Sequence, residues 1–410
     1  MKKLSIILGK TVQKISRLRG NSGSALPGLV VERTDKHFIK NVLGKLPHGV
    51  IVISGTNGKT TTTKMVTELL ESQGLKVFTN DTGSNFVRGV ISSILKNIKI
   101  SGKFDYDIAV LELDEAHAVK YSEVAPIDYA LLLNVQRDQL DRFGEIDHTA
   151  ECLQKVATAT KKAVILNRED PRVGKISAKN TVYFGLSDSL IAEFPSDDDL
   201  LTKKKTKAST KPALVKLEKL GKEATFSLEK QSFTTPLKVK GVYNAYNAAG
   251  ALAVVKTVLP KSDNAKLIEA LANIESAFGR GEVLNINGAE VELLLVKNPS
   301  AFQLSLTSFA DKEHDYMIAI NDAVADGRDV SWLWNVDFKS LKHVKVTSGT
   351  RATDMALRLK YDEVETEAVI EDLKRAINKF TADGKNPKRI FATYTAMLEI
   401  RKIISGKSIL

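Results

Sequence analysis

Soft metals and redox chemistry find little in this sequence: one cysteine, Cys152, and six histidines among 410 residues. A single thiol excludes an intramolecular disulfide and any cysteine-based zinc cluster, and it fits a reducing compartment. The histidines show no zinc-like spacing, which argues against a histidine metal centre. No apolar run approaches the roughly 18 residues of a membrane-spanning helix, and Leu4 to Leu8 is too short an apolar core for a signal peptide. The chain is therefore expected in the cytoplasm. The sequence also lacks an RNA-recognition motif, a zinc finger and an aromatic-basic platform, so no nucleic acid is expected as partner, despite a net charge of +11. That excess fits an acidic partner of another kind, such as anionic lipid or a phosphorylated substrate. Hydrophobic content of 43% and charged content of 27% fit a soluble globular chain, long enough for two or three domains.

What is present centres on GVIVISGTNGKTTTTKMVTELL, Gly49 to Leu70. Val50 to Ile53 reads as a buried strand, Gly55-Thr56-Asn57-Gly58-Lys59-Thr60 as a loop, and the segment carrying Met65, Val66, Leu69 and Leu70 as a helix. Glycines let backbone N–H groups converge, the helix N-terminus adds positive potential, and a lysine reaches terminal phosphates. The stretch through Thr61 is thus expected to cradle ATP, with Thr60 as a Mg²⁺ ligand. Asp107 to Asp114 reads as a second buried strand ending in acids. Glu112 is expected to hold Mg²⁺ and the adjacent Asp114 and Glu115 to cap a helix.

Before this core, Lys2, Lys3, Lys10, Lys14, Arg17 and Arg19 accompany apolar residues at helical spacing, with no acid before Glu32. This basic amphipathic helix either packs on the body with its lysines in water or lies on an anionic membrane. After the core come a strand, Ile127 to Leu133, the charged run Asn134 to Gly144, and Asn167-Arg-Glu-Asp-Pro171. Thr181 to Phe184 reads as the last strand of a parallel, doubly wound sheet. Residues 187–240 read as an insertion: a lysine tract, Lys203 to Lys211, expected to be exposed and mobile, then a hairpin, Leu214 to Leu228, turning at Gly221. Asn244 and Asn247, three apart, share one helix face and are expected to meet a nucleotide base; a helix cap accounts for the first alone. Arg280 is a candidate phosphate or ribose contact. From residue 289 onward the strand–helix rhythm repeats. There Asn321-Asp-Ala-Val-Ala-Asp-Gly-Arg-Asp-Val-Ser-Trp332 reads either as a site with an exposed tryptophan or as an Asp-Gly turn plus a helix cap. The expected division is 1–40 for a basic N-terminal helix and loop, 41–288 for an ATP-binding domain, and 289–410 for a smaller Rossmann-like domain.

GTNGKTT, LELDE, NVQRDQLDRFGE, NREDP, GVYNAYNAAGA and FGRGE, in that order, resemble the ATP-binding module of the Mur ligase family. LVKNPSAF, NDAVADGRDVSW and TSGTRATDMALRL narrow the resemblance to its MurT branch, ligase subunits of lipid II isoglutaminyl synthases. The resemblance implies an α/β fold and ATP-dependent amidation of the α-carboxylate of D-glutamate in the lipid II stem peptide. It also implies a heterodimer with a GatD-like glutamine amidotransferase that supplies ammonia, near the inner face of the membrane. Lys59 and Glu112 match the family's catalytic and metal-binding residues, and Asn244, Asn247 and Arg280 its nucleotide contacts. Asp329 matches an aspartate that completes a Cys-His-Asp arrangement in the partner.

Two departures accompany the resemblance. Gln139 stands where amino-acid-adding Mur ligases carry a metal-ligand histidine, and Leu294-Leu-Val-Lys297 replaces their Asp-Tyr-Ala-His. The middle region also lacks the four cysteines of a zinc ribbon, so no zinc is expected. Two other readings stay in competition: an amino-acid ligase of the Mur or folylpolyglutamate type acting alone, disfavoured by Gln139 and ADGRDVSW, and a non-enzymatic ATP-dependent binding module, disfavoured by the Lys59, Thr60 and Glu112 set.

Overall fold

The computed structural model describes residues 3–18, 26–80, 85–137, 146–194, 208–275, 280–382 and 386–405. Its centre is β1, Val50–Ser54, every residue of which is buried. The strand is apolar on both faces because both faces are covered. Ile51 and Ile53 pack with Met65, Val66 and Leu69 of α4, Lys59–Ser72, while Val50 and Val52 pack with Phe38, Val90 and Ile94 on the other side. Each fully buried side chain of this size contributes roughly 1.5–3 kcal/mol, so the run from Val50 to Ile53 fixes the centre of the sheet.

Among the described residues the first sheet has nine strands. Its parallel part runs β2 (Val77–Thr79), β3 (Ile108–Glu112), β1, β4 (Ile127–Leu132), β5 (Thr160–Asn167), β6 (Thr181–Leu186) and β7 (Val215–Leu220). Antiparallel β8 (Ala224–Leu228) and β9 (Gln231–Thr235) complete it. β6 is therefore not the last strand. The expected hairpin around Gly221 continues the same sheet, because Val215, Leu217, Phe226 and Leu228 join the core beneath the helix Val242–Val258. The lysine tract needs a second correction. Residues 203–207 lie outside the described residues, but Lys211 is no mobile surface charge: it donates to the Tyr183 hydroxyl at 3.1 Å and to the Gly174 carbonyl.

Residues 1–40 do not form a separate unit. In helix α1, Lys3–Leu18, Ile6 is fully buried in the core that also holds Val50 and Val52, together with Val31 and Phe38. Lys10 donates to the carbonyl of Leu95 at 2.6 Å and Gln13 to that of Ser92 at 3.3 Å, tying α1 to the helix α5, Val87–Asn97. The packed alternative thus describes one face of α1.

The second sheet has the order β10 (Arg280–Ile286), β11 (Ala289–Leu295), β15 (Lys388–Ala392), β12 (Asp315–Ala319), β13 (His343–Ser348) and β14 (Glu365–Ile370). It is parallel except for the β10–β11 hairpin. That hairpin spans the expected boundary at 288/289, so the division by sheets falls before Arg280. Hydrophobic clusters lie on both faces of this sheet as well, and among the described residues neither includes a residue of the first domain.

Candidate nucleotide and ligase site

The loop after β1 needs glycine at two places. Gly55 has φ +130°, and a Cβ there would lie 2.9 Å from the Asn134 carbonyl oxygen. Gly58 has φ +89°, and a Cβ there would lie 2.5 Å from the amide nitrogen of Asn247. Left-handed backbone and close approach both exclude a side chain. Gly58 then starts α4 with no side-chain cap, so the positive end of the helix opens beside Lys59 and Thr60.

Lys59 is buried. Its ammonium donates to the carbonyl oxygens of Gly55 at 2.8 Å and Thr56 at 3.4 Å, and pairs with Asp114 at 3.2 Å and Glu115 at 3.9 Å. Asp114, expected to cap a helix, instead faces two cations: burial pushes its carboxyl up, but Lys59 and Lys297 outweigh this and hold it below the usual carboxylate range. Lys297 comes from the second domain and donates to the same Thr56 carbonyl at 3.0 Å. Two ammonium groups therefore share one oxygen, a concentration of positive charge suited to a polyphosphate.

Thr60 and Glu112, each expected as a Mg²⁺ ligand, lie side by side. The Thr60 hydroxyl donates to Glu112 Oε1 at 2.8 Å, and the Asn85 amide reaches the same oxygen at 3.1 Å. Asn80 fixes the end of β3 by two bonds of 2.9 Å, one to the Glu112 carbonyl and one from its N–H. A hydroxyl and a carboxylate at the N-terminus of α4 are hard oxygen donors of the kind Mg²⁺ takes, with water and phosphate completing its shell. Among the described residues there is no group of three or more His, Cys, Asp or Glu that could hold a metal by itself.

The run after β4 performs a task its charges did not announce. Asn134 accepts from Asn57 N–H at 2.9 Å and returns a bond to the Asn57 carbonyl at 2.9 Å. The Gln136 N–H donates to the Thr56 hydroxyl at 3.0 Å, and its side chain accepts from the Asn57 amide. Asp138 to Gly144, including Gln139, lies outside the described residues. Asp170 of the NREDP stretch accepts from the N–H groups of Val135, Arg172 and Val173 at 3.0, 2.9 and 2.7 Å. Burial pushes its carboxyl up to about 6 against these bonds. The phosphate loop is thus held by the Asn134 side chain on its backbone and by Gln136 on the Thr56 and Asn57 side chains, while Asp170 fixes the Val135 N–H between them.

Asn247 is buried under Gly58, and Asn244 is more exposed, donating to the Lys240 carbonyl at 2.6 Å. Both line a cavity between the two domains, with Gly58, Tyr243, Lys297 and Phe309. Arg280 begins β10, but its side chain lies outside the described residues. Asn298 caps the helix Pro299–Phe309 through the Ala301 N–H at 2.8 Å and meets the Asn57 side chain at 3.2–3.3 Å. Sequence reasoning missed Asn80, Asn134, Gln136 and the role of Lys297. The available signal was the departure at Lys297 itself, a cation in place of the family's histidine.

Asp329 belongs to a different place, the loop after β12 in the second domain. Three aspartates there have three fates. Asp322 pairs with Arg351 at 3.0 Å, and buried Asp326 accepts from the N–H of Thr395 at 2.8 Å at the start of the last helix. Asp329 is exposed, and the N–H of Ser331, 2.8 Å away, holds its carboxyl below the usual range. It lines a surface recess with Arg328, Trp334, Arg351 and Arg358. The exposed tryptophan is Trp334, at 50% exposure; Trp332, expected to be so, packs near Phe302.

Known proteins share this layout. A model of the Mur ligase middle domain matches residues 53–255, and one of the MurT ligase C-terminal domain matches 295–397. The lipid II isoglutaminyl synthase (glutamine-hydrolyzing) subunit MurT of Streptococcus pneumoniae is 28% identical, over 99% of this chain and 97% of its own length. The subunit of the same name from Staphylococcus aureus is 28% identical over 96% of this chain and 95% of its own. Among solved structures, the MurF ligase of Thermotoga maritima in complex with ADP superposes with a TM-score of 0.68 at 20% identity, covering 92% of this chain and 85% of that one. The chain belongs to the Mur ligase family, with the C-terminal domain of its MurT branch.

Proposed function

We propose that this chain is the ligase subunit of a two-subunit lipid II isoglutaminyl synthase, using ATP and ammonia to convert the α-carboxylate of D-glutamate in the stem peptide into an amide. Membership of the family makes it an ATP-dependent ligase. The observation that carries the finer reading is the set at the carboxyl edge of the first sheet, Lys59 against Asp114 and Thr60 against Glu112, facing a cleft closed by Lys297.

In this reading the substrate carboxylate attacks the γ-phosphorus of ATP, ADP leaves, ammonia attacks the acyl carbon, and phosphate departs. Lys59 and Lys297 take up the charge of the transferring phosphoryl group, and the loop amides orient it. Mg²⁺ held by Thr60 and Glu112 would neutralise phosphate charge. Asn244 and Asn247 offer carboxamides to the nucleotide across the inter-domain cavity. Arg280 remains a proposed contact on sequence grounds alone. Cys152 Sγ lies 3.8 Å from His148 Nε2, within reach of a sulfur hydrogen bond, but burial pushes its thiol up, which holds it protonated and unfit as the nucleophile of glutamine hydrolysis. Ammonia is therefore assigned to a GatD-like partner, with Asp329 reaching into its site. Zinc has no part in this reading, and lipid II places the work at the inner membrane face.

Supplying the purified chain with ATP, glutamine and lipid II, with and without the glutaminase subunit, tests this directly. Amidation only with both subunits is the expected result. Amidation from glutamine by this chain alone, or addition of an amino acid, would favour the stand-alone ligase and overturn the proposal. Two variants probe the site. Glu112→Gln keeps the shape but removes the charge, so the Mg²⁺ concentration for half-maximal activity is expected to rise about tenfold or more. Gly58→Ala forces a Cβ against Asn247 in a left-handed backbone, which costs at least about 1–2 kcal/mol; ADP affinity by calorimetry is expected to fall about tenfold.

A further inference from the structure

We propose that the outward face of α1 is a membrane-docking surface that rests on an anionic bilayer. One face of the helix is spent on the body: Ser5, Ile6, Gln13 and Ser16 are buried, and Gly9 lies against Leu95 and Val31. The other face exposes Leu4 at 77%, Ile7 at 48%, Leu8 at 39% and Ile15 at 47%. These positions recur at helical spacing, so they form one stripe, bordered by the exposed Lys3 and Lys14. A helix already anchored by one face does not need four large aliphatics in water on the other.

Charge selects the occupant. The stretch up to Val31 carries basic residues and no acid, so the stripe is apolar with cations at its margins, the pattern of an interfacial helix on anionic headgroups. Position supports the same choice. Lys10 meets Leu95 and Gln13 meets Ser92, so α1 and α5 run antiparallel and the C-terminal end of α1 lies beside the start of α5. Only Phe86 separates that start, Val87, from Asn85, whose amide touches Glu112. The stripe thus runs toward the rim of the ligase site, where a lipid-linked substrate would present its headgroup. That last step rests on the proposed amidation; the bilayer contact itself does not.

Sedimentation of the full chain with vesicles of about 30% phosphatidylglycerol in phosphatidylcholine, free of lipid-linked precursor and ATP, tests the contact. Wild-type protein is expected to pellet with these vesicles and to stay in solution with pure phosphatidylcholine. Ile7→Asp with Ile15→Asp, and separately Lys3→Glu with Lys14→Glu, are expected to weaken binding at least tenfold while melting temperature and ADP affinity stay unchanged. Failure of the wild type to bind, or equal binding by the folded variants, overturns the proposal. So does release from the vesicles on adding the glutaminase subunit, which would assign the stripe to a protein partner. None of these results depends on whether the chain amidates lipid II.

Discussion

Replacement of Lys59 by alanine is expected to lower ATP-dependent turnover by about 10³-fold or more, equivalent to about 4 kcal/mol of transition-state stabilisation. The lysine is held where the phosphate loop, the positive end of α4 and two carboxylates converge. In that buried setting its charge is screened less than in water, so its loss has no solvent substitute. In the proposed reaction the ammonium exchanges the Gly55 and Thr56 carbonyls and Asp114 for phosphate oxygens, which is a short rearrangement rather than a search. Removing it leaves Asp114 with Lys297 as its remaining lysine neighbour and Glu115 without that contact, so some loss of stability accompanies the loss of rate. Lys59→Arg separates the two effects: it keeps the cation but not the point-charge geometry, and is expected to melt near the wild type while remaining slow. ADP release measured with a coupled assay checks the rate. A Lys59→Ala enzyme retaining a tenth of wild-type turnover would remove the lysine from the chemistry.

Asp329→Asn is expected to separate the two halves of the proposed reaction. Glutamine-dependent amidation by the two-subunit enzyme should fall by about 10³-fold or more, because an amide in place of a carboxylate both mis-sets the tautomer of the histidine it orients and loses the charge that stabilises its cation. Amidation driven by added ammonium salt should remain near wild type. The geometry makes the variant a clean one: the described contact of the Asp329 side chain is a local bond from the Ser331 N–H, which an asparagine oxygen can also accept. Asp326, three residues earlier, would not serve as a substitute target, since its carboxyl is buried on Thr395 and its loss would disturb the last helix. Unchanged glutamine hydrolysis by the variant complex would show that Asp329 does not act in the partner.

The part of the fold legible in the sequence was the part written in apolar runs and glycines. β1 and β3 appear as near-continuous hydrophobic stretches, and β4 as one interrupted by Asp128, because helices cover both sides of the sheet. The phosphate loop announces itself because Gly55 and Gly58 occupy backbone that other residues avoid. β10 and β14 were not legible: β14, ETEAVI, lies at a sheet edge with alternate residues in water and so lacks a buried run. The continuation of the first sheet through β7 was missed because parallel pairing across a long insertion leaves no local mark. In the site, Lys59, Thr60 and Glu112 were found by spacing from a strand end. Asn80, Asn134 and Gln136 were not, because a carboxamide whose task is to hold a neighbouring segment in place looks in sequence like any polar residue after a strand. The tryptophans show the same limit, since the choice between Trp332 and Trp334 depends on which turn of a short helix faces Phe302.

The seam between the two domains has a consequence for turnover. The bonds that cross it at the phosphate loop are polar, Lys297 to the Thr56 carbonyl and the Asn57 and Asn298 carboxamides, and away from the loop Lys240 pairs with Glu292 at 3.2 Å. Among the described residues no hydrophobic cluster bridges the domains. Water can replace each such bond at a net cost of about 0.5–1.5 kcal/mol, so the halves can part without baring a core. In the proposed reaction, spent nucleotide therefore has an inexpensive way out, and the same few bonds re-form around the next ATP. A weak, wettable clasp of this kind favours many openings over one tight closure.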